Sequence, residues 1–306
     1  MGVPMKSFPA EEMDAVARPF PGRIGVCIKD LNTGLRYEYN ADEPLPTASV
    51  VKVSIMIELF RQAHDGQLSL DDRYRMRTDI SSHGTGTLSI MRDYPELTLR
   101  DYCRLMMGVS DNMATDMIVH LLTPESINAT LDGMGYYNTR ANMQLGVWHY
   151  LMKGVVETPS KELDEAIRSG ELNDGPGDKD LPFASDLRNN VASANDLVDI
   201  MEKIHAGEMI SAGASAQMVE MMKVVKGDNR IRQYLKPEIE TARKTGGSGR
   251  IKADTGIVYL PTGPMFVAGL STSDRAEDQV QGMEAVGLIT RMAYATVSPE
   301  SVLGVE

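Results

Sequence analysis

The fold is decided late in the chain, where residues 239–271 read IETARKTGGSGRIKADTGIVYLPTGPMFVAGLS. Three segments of this stretch are rich in β-branched and apolar residues: Ile239–Lys244, Asp254–Leu260 and Met265–Ser271. Such residues favour strands, and the run Pro261-Thr262-Gly263-Pro264 between the last two segments is typical of a turn. The stretch therefore predicts three strands that follow one another in a sheet.

A second β-rich block lies near the amino terminus. Arg23–Asp30 predicts one strand, Asn32-Thr33-Gly34 supplies turn chemistry, and Leu35–Asn40 alternates between apolar and polar side chains as a second strand. We expect this hairpin to join the late strands, so that the two ends of the chain build one five-stranded antiparallel sheet.

Helical periodicity fills the rest of the chain. A short amphipathic helix ends near Arg18, and residues 275–297 place apolar side chains at helical spacing, so a helix should flank the sheet at each terminus. Between the two β blocks the pattern is helical throughout, which indicates an α/β (α+β) chain with a cleft where its two parts meet. The predicted divisions are residues 1–48 with 237–306 for the sheet domain, 49–236 for an all-helical domain, and 157–189 for a long surface loop within it.

Composition excludes two classes of partner. The chain has 306 residues with 43 acidic against 31 basic side chains, and no cluster of Lys and Arg offers the positive surface that nucleic acid requires. Its longer apolar stretches, such as Val50–Phe60, are interrupted by polar residues and are too short to cross a bilayer. We therefore expect no nucleic acid partner and no membrane span. The oligomeric state is left open between monomer and dimer.

Residues Met1–Phe20 carry three acidic side chains where a secretory leader would be apolar, so no export signal is visible. The location is therefore cytoplasmic as the chain is written, or periplasmic or secreted if a leader was removed. Cys27 and Cys103 lack CxxC spacing, which favours two free thiols. No cofactor and no metal are expected, because the five histidines lack ligand spacing. These are His64, His83, His120, His149 and His205.

Ser49-Val50-Val51-Lys52 opens a segment that is apolar on every side and should therefore form a buried helix. A lysine one turn from a serine in such a helix loses hydration, which lowers its pKa until the neutral amine can take the hydroxyl proton. The helix amino terminus would add N–H donors for an oxyanion. Alone, the pattern also fits a helix-capping Ser49 and a surface Lys52.

Two further motifs favour the catalytic interpretation. Ser110-Asp111-Asn112 lies between two helical stretches and presents a hydroxyl, a carboxylate and an amide in one turn. Lys244-Thr245-Gly246 lies on a predicted strand and is followed by Gly247, where a ligand needs close approach to the backbone. Each motif alone fits a capping turn or a glycine-rich turn. Their order, Ser-x-x-Lys, Ser-Asp-Asn and Lys-Thr-Gly, makes coincidence improbable.

With these motifs the sequence resembles the class A β-lactamases and their penicillin-binding relatives over nearly its whole length. The resemblance implies a β-lactamase/transpeptidase-like fold and a serine hydrolase that acts on small β-lactam amides, or on related esters or amides, through an acyl-enzyme. It also implies a role for each motif residue. Ser49 would be the nucleophile, Lys52 its base and Ser110 a proton relay, and the backbone N–H groups of Ser49 and Gly247 would form an oxyanion hole. Asn112 would bind the substrate amide, and Lys244 and Thr245 would hold the substrate carboxylate. Asp111 would stabilise the turn.

The sequence departs from that family in the loop that supplies the deacylating base. Class A enzymes carry Glu-x-x-Leu-Asn there, whereas the nearest match here, Ser169-Gly170-Glu171-Leu172-Asn173, has serine in the glutamate position. Five nearby carboxylates are alternatives for the base or simply solvated charges. They are Glu157, Glu171, Asp174, Asp178 and Asp186.

Three functions remain open on this evidence: a β-lactamase, a carboxylesterase or peptidase of the same fold, and a penicillin-binding protein that acylates without efficient deacylation. Two smaller questions concern single residues. Cys103 lies where many relatives form a disulfide, but its expected partner position holds Met56, so no disulfide is expected. Trp148 fits either the wall of the cleft or the core of the helical domain.

Overall fold

The structure is a computed structural model that describes residues 7–82, 84–172, 174–225 and 227–304. Five of its strands form one antiparallel sheet in the order β2-β1-β9-β8-β7, and β3 pairs with β6 and β4 with β5. The strands, in chain order, are β1 (Arg23–Asp30), β2 (Arg36–Tyr39), β3 (Leu45–Pro46), β4 (Arg73–Arg75), β5 (Glu96–Thr98), β6 (Val191–Ala192), β7 (Thr241–Ser248), β8 (Ile251–Leu260) and β9 (Gly263–Thr272). The predicted five-stranded antiparallel sheet is confirmed.

Ten α-helices accompany the strands in the described chain. They are α1 (Ala10–Ala17), α2 (Lys52–His64), α3 (Leu99–Gly108), α4 (Asn112–Leu122), α5 (Pro124–Gly133), α6 (Leu145–Leu151), α7 (Lys161–Ser169), α8 (Ala194–Ala206), α9 (Ala212–Lys223) and α10 (Gln279–Val297). Within this part of the chain, none is both long and apolar enough to cross a membrane.

The sheet is covered on both faces, because successive side chains of its strands point alternately into two hydrophobic cores. Val26 and Ile28 of β1 pack in a cluster with Val286 of α10, whereas Cys27 between them belongs to the cluster that includes α2 and α8. Helix α1 lies against α10, as the predicted terminal helices require. Both cysteines are buried and free, and burial raises the pKa of the Cys103 thiol to about 12.

The late strands extend further than the sequence predicted. Strand β7 continues past Lys244 to Ser248, with Gly246 opposite Ala253 and Gly247 opposite Lys252 of β8. Glycine carries little strand signal of its own, so the sequence placed the end of this strand too early. The consequence is that the glycines form a straight edge of the sheet rather than a turn.

The stretch between the β blocks is mainly helical but not entirely so. It also contains β4, β5 and β6, whose lengths of two or three residues are too short to leave a pattern. Helix α7 lies inside the predicted long loop, where the Ser160 hydroxyl caps it by accepting from the Leu163 N–H at 3.2 Å. Charged residues and glycines around α7 obscure its helical pattern in the sequence. The domain limits stay a prediction.

A buried ion pair fixes β7 beside β8. Arg243 and Asp254 have fully buried side chains, and the Arg243 Nη1 donates to Asp254 Oδ2 at 2.7 Å. The guanidinium also donates to the backbone carbonyls of Gly227 and Asn229. Because Arg243 precedes Lys244 in β7, this ion pair fixes the position of the Lys-Thr-Gly motif within the sheet.

Replacing Asp254 by Asn should lower the free energy of unfolding by about 3–5 kcal/mol, because the Arg243 charge would stay buried without a counter-charge. Urea unfolding followed by circular dichroism measures this. The matched control is Asp274→Asn, since Asp274 pairs with Arg250 while its side chain is 99% exposed. That change should cost at most about 1 kcal/mol. Equal losses in the two variants would contradict the stabilising role of the buried pair.

Candidate active site

A cleft of about 750 Å³ opens between the end of β7 and the helical part of the chain. It brings together residues that are far apart in sequence. The predicted site residues in its lining are Ser49, Ser110, Asn112, Thr245 and Gly247. Lys52 and Lys244 lie directly beneath them, fully buried. The three motifs therefore meet at one place, as the sequence analysis expected.

Ser49 lies in a short 3₁₀ turn, Ala48–Val51, and the α-helix begins only at Lys52. The sequence had placed Ser49 at the start of the α-helix itself. The turn is anchored on both sides, because Thr47 N–H donates to Asn190 O and Val50 N–H donates to Thr47 O, both at 3.0 Å. Ala48 has a φ of 43°, a strained value for a residue with a Cβ. This geometry leaves the Ser49 side chain partly exposed in the cleft.

Lys52 is fully buried and surrounded by acceptors. Its Nζ donates to Ser110 O at 2.7 Å, to Ser110 Oγ at 3.0 Å and to Asn112 Oδ1 at 2.8 Å. Burial, together with the nearby charge of Lys244, holds the pKa of Lys52 well below its usual value. The alternative of a surface lysine is wrong, and the side chain has the environment that an amine base needs.

The Ser-Asp-Asn turn is built around Asp111. One carboxylate oxygen of Asp111 accepts from the Ala114 N–H and caps α4, and the other accepts from the backbone N–H groups of Thr87 and Leu88. Ser110 has a φ of 56°, so its backbone is strained towards the left-handed region. The bonds of Asp111 hold this conformation, which directs both the carbonyl and the hydroxyl of Ser110 at Lys52.

Lys244 completes the cluster from the side of the sheet. Its Nζ donates to Ser110 Oγ at 3.1 Å and to Thr245 O at 2.8 Å. Burial lowers the pKa of Lys244 to about 7. The Ser110 hydroxyl therefore lies within hydrogen-bond distance of both lysine amines, which is the geometry of a proton relay.

Gly246 brings β7 into contact with the turn that contains Ser49. A Cβ at this position would lie 2.2 Å from Thr47 O and 2.9 Å from Ser49 N. Only glycine permits that approach. As a result the backbone of Gly247, one residue on, faces the cleft beside Ser49.

Comparison with known proteins identifies the family that shares this arrangement. A family model described as the beta-lactamase enzyme family matches residues 9–297. The chain belongs to this family. It is a hydrolase of the serine β-lactamase type, which confirms the resemblance drawn from the motifs.

The relatives are distant in sequence, but the match covers most of this chain and most of each relative. The beta-lactamase regulatory protein BlaB of Streptomyces cacaoi is 24% identical over 282 residues, which is 85% of this chain and 87% of the relative. A solved β-lactamase from Sphaerobacter thermophilus has a TM-score of 0.75 at 23% identity and covers 95% of this chain and 97% of its own. A mutant of PBP-A, solved as an acyl-enzyme complex with penicillin G, has a TM-score of 0.74 at 23% identity over 93% of each chain. These structures confirm the predicted fold.

Arg230 is a residue of this β-lactamase-type cleft that the motifs did not reveal. It is 9% exposed, lines the cleft, and has its Nη2 3.1 Å from the point that a Gly247 Cβ would take. Its Nε has no hydrogen-bond partner within the described chain, and burial lowers its pKa. A buried guanidinium in this position fits an anionic group of a ligand. The backbone φ of Arg230 is 52°, and such a conformation leaves no pattern in the sequence from which the residue could be predicted.

Helix α6 forms the opposite wall of the cleft. Its contribution, which we call the α6 wall, consists of Leu145, Trp148, His149 and Met152. Asp116 of α4 holds this wall from behind, because its carboxylate accepts from the N–H groups of Leu145 and Gly146, both at 2.7 Å. Trp148 lines the cleft and is 3% exposed, but it packs with Ala48 and with Ile251 of β8 rather than in the core of the helical part.

None of the five carboxylates considered as deacylating bases lines the cleft. Asp174 pairs with Lys179, and Asp186 pairs with Arg188. Asp178 accepts from backbone N–H groups at 180 and 181, and Glu157 and Glu171 are exposed. Asn173 of the expected loop motif lies outside the described residues. Among the described residues in the lining there is no Asp or Glu at all.

Within the described ranges, no three His, Cys, Asp or Glu side chains are grouped so that they could hold a metal ion. The histidines are dispersed over different elements: His64 ends α2, His120 lies on α4, His149 on α6 and His205 on α8. His83 lies outside the described residues.

Replacing Gly246 by Ala should slow formation of the acyl-enzyme by about 10²-fold, because the added Cβ forces β7 away from the Ser49 turn by a distance on the order of 1 Å. Stopped-flow measurement with a chromogenic β-lactam gives this rate. Gly213→Ala is the matched control, since a Cβ there meets nothing within 4 Å. An unchanged rate in the Gly246 variant would show that the close approach is not required.

Proposed function

We propose that this protein opens β-lactam amides through a covalent acyl-enzyme on Ser49. The observation that carries the proposal is the hydrogen-bonded cluster of Lys52, Ser110 and Lys244 beside Ser49 at the base of the cleft. It supplies an amine of lowered pKa and a hydroxyl between two amines, which are the groups that serine acylation and departure of an amide nitrogen require.

In the proposed acylation, neutral Lys52 takes the proton of Ser49 as the hydroxyl oxygen attacks the carbonyl carbon of the substrate. The backbone N–H groups of Ser49 and Gly247 stabilise the negative charge that develops on the carbonyl oxygen. Ser110 then delivers a proton to the leaving nitrogen and is reprotonated from the lysine amines on either side. The reprotonation of Ser110 follows the contacts of 3.0 and 3.1 Å between its Oγ and the Nζ atoms of Lys52 and Lys244.

We propose that different residues along the cleft bind different parts of the substrate. The Asn112 side chain binds the amide of the acyl group, and the Lys244 ammonium with the Thr245 hydroxyl holds the substrate carboxylate. Arg230, which is also directed to this end of the cleft, adds a second positive charge for that carboxylate. This arrangement favours an anionic substrate even though the whole chain carries a net charge of −12.

A second candidate is a penicillin-binding protein that acylates without efficient deacylation. The absence of Asp and Glu from the described lining of the cleft favours it, because hydrolysis of the acyl-enzyme needs a group that activates water. Among the relatives, one is described as a regulatory protein and one was solved as an acyl-enzyme with penicillin G. A carboxylesterase or peptidase would use the same acylation machinery.

Intact-mass spectrometry with excess benzylpenicillin separates the candidates. We expect a covalent adduct of one penicilloyl group per chain, with the drug consumed catalytically in the same sample. Ser49→Ala should form no adduct and consume no drug, because the nucleophile is absent. An adduct on the Ser49 variant, or a wild-type protein that neither forms an adduct nor consumes the drug, would refute the proposed nucleophile. A persistent adduct without drug consumption would select the penicillin-binding candidate, and a chromogenic ester turned over faster than the drug would select the esterase.

The pH dependence should report on Lys244. Since its pKa is lowered to about 7, Lys244 is a charged ammonium below that pH and a neutral amine above it. The value of kcat/KM for benzylpenicillin should therefore fall as pH rises through about 7, by about tenfold per pH unit, as the charge that holds the carboxylate is lost.

Lys244→Arg provides the matched control for this pH profile, because a guanidinium stays charged throughout the range. In that variant the decline above pH 7 should disappear, whatever the absolute rate. An identical alkaline decline in both proteins would assign the titration to another group.

A further inference from the structure

His149 is the histidine of the described chain that lines the cleft. It lies on α6, in the element that Asp116 holds against the buried lysine cluster. The sequence analysis had treated it as one of five dispersed histidines. Its position in the α6 wall places an imidazole in the cleft that Ser49 also lines, away from the loop where the family pattern led us to look for a carboxylate.

One bond fixes both the orientation and the tautomer of this ring. The Nδ1 of His149 lies 2.7 Å from the backbone oxygen of Leu145. A carbonyl oxygen can only accept, so Nδ1 carries the proton of the neutral ring and Nε2 carries the lone pair. A base whose other ring nitrogen is held by a fixed acceptor is the arrangement found in nucleophile–base pairs.

The Nε2 end of the ring is directed towards the catalytic cluster. A Cβ built on Gly84 would lie 3.3 Å from His149 Nε2 and 2.6 Å from Asn112 Nδ2, so these two nitrogens border the same small space. Asn112 is in turn bonded through its Oδ1 to Lys52 Nζ at 2.8 Å. His149 therefore lies one side chain away from the amine that is proposed to deprotonate Ser49.

Other titratable side chains in the described lining fit the task less well. Arg230 stays protonated and cannot accept a proton. Lys252 donates to Ser248 O, and Lys153 is an exposed ammonium at the outer end of α6. Asp116, which is not part of the lining, lies behind α6 with both oxygens bonded to backbone N–H groups, so it positions the wall rather than reaching into the cleft. His149 carries an imidazole, the side chain most often used as a general base, and its Nε2 lone pair can take a proton from water.

We propose that His149 is the general base that activates water to deacylate Ser49; this rests on the acyl-enzyme proposed above. In this step the Nε2 lone pair takes a proton from water, and the water oxygen attacks the ester carbonyl carbon of the acyl-enzyme. The tetrahedral intermediate then collapses, the bond from carbon to Ser49 Oγ breaks, and the proton taken from water passes to that oxygen. The products are the free acid, the Ser49 hydroxyl and neutral His149, so atoms and charge balance.

The test compares His149→Asn with the wild-type protein in single-turnover and steady-state reactions with benzylpenicillin. An Asn amide can keep the donation to Leu145 O that Nδ1 makes, but it has no counterpart of the Nε2 lone pair. Acylation should stay within about twofold of wild type, whereas deacylation should slow by about 10²–10⁴-fold, so that the adduct accumulates. An adduct that forms at the normal rate also shows that the variant site is folded.

Two further measurements distinguish a catalytic role from a structural one. His149→Ala leaves space for a small base, so added imidazole should accelerate deacylation of its adduct, and it should not do so for the wild-type protein. His120→Asn, an exposed histidine on α4, is the matched control and should turn over as wild type does.

Several outcomes would overturn the inference. Undiminished deacylation in His149→Asn would remove His149 from the mechanism, as would slow acylation together with unchanged deacylation. A wild-type adduct that persists without turnover would do the same while leaving the proposed acylation intact. A wild-type protein that neither forms an adduct nor consumes the drug would refute the proposed function itself, and the inference with it.

Discussion

The site depends on one constraint, the burial of Lys52 at the start of α2. A buried ammonium is costly to desolvate, and the protein meets that cost partly by lowering the pKa and partly by surrounding Nζ with three acceptors. Two of these acceptors belong to Ser110 and one to Asn112. The Ser-Asp-Asn turn therefore has to present a carbonyl, a hydroxyl and an amide oxygen to a single atom.

That requirement explains where the backbone is strained. Seven residues other than glycine have positive φ among the described residues, and three of them line the cleft: Ala48, Ser110 and Arg230. Such conformations cost about 1–3 kcal/mol each and persist only when their surroundings hold them. Asp111 holds Ser110 through three backbone N–H groups, and the backbone bonds of Thr47 hold the turn at Ala48. Part of the backbone strain thus lies where side chains from separate elements must converge.

The sequence predicts those features of the structure that depend on residue patterns within one segment, and not those that depend on contacts between distant segments. Strand β1 was placed correctly from residue types alone, and the Ser-x-x-Lys segment was predicted to be buried because its neighbours are apolar on all sides. Arg230 was missed, since its burial comes from β7 and its strained φ from the fold around it. Helix α7 was missed because glycines and charges obscured its capping serine. Local patterns identify the elements that carry the chemistry, whereas contacts across the cleft are fixed only by tertiary packing.

The α6 wall shows what tertiary packing adds to the chemistry. Asp116 supports α6 through two backbone N–H groups, and its charge also favours the protonated form of Lys52. Burial raises the pKa of Asp116 to about 6, so near neutral pH it is ionised and does both. A single buried carboxylate therefore links Lys52, the amine proposed to serve acylation, to the helix that carries His149. If the acyl-enzyme is hydrolysed by a group on that helix, acylation and deacylation both depend on Asp116. A displacement of α6 would then also alter the surroundings of Lys52, the proposed base of the first step.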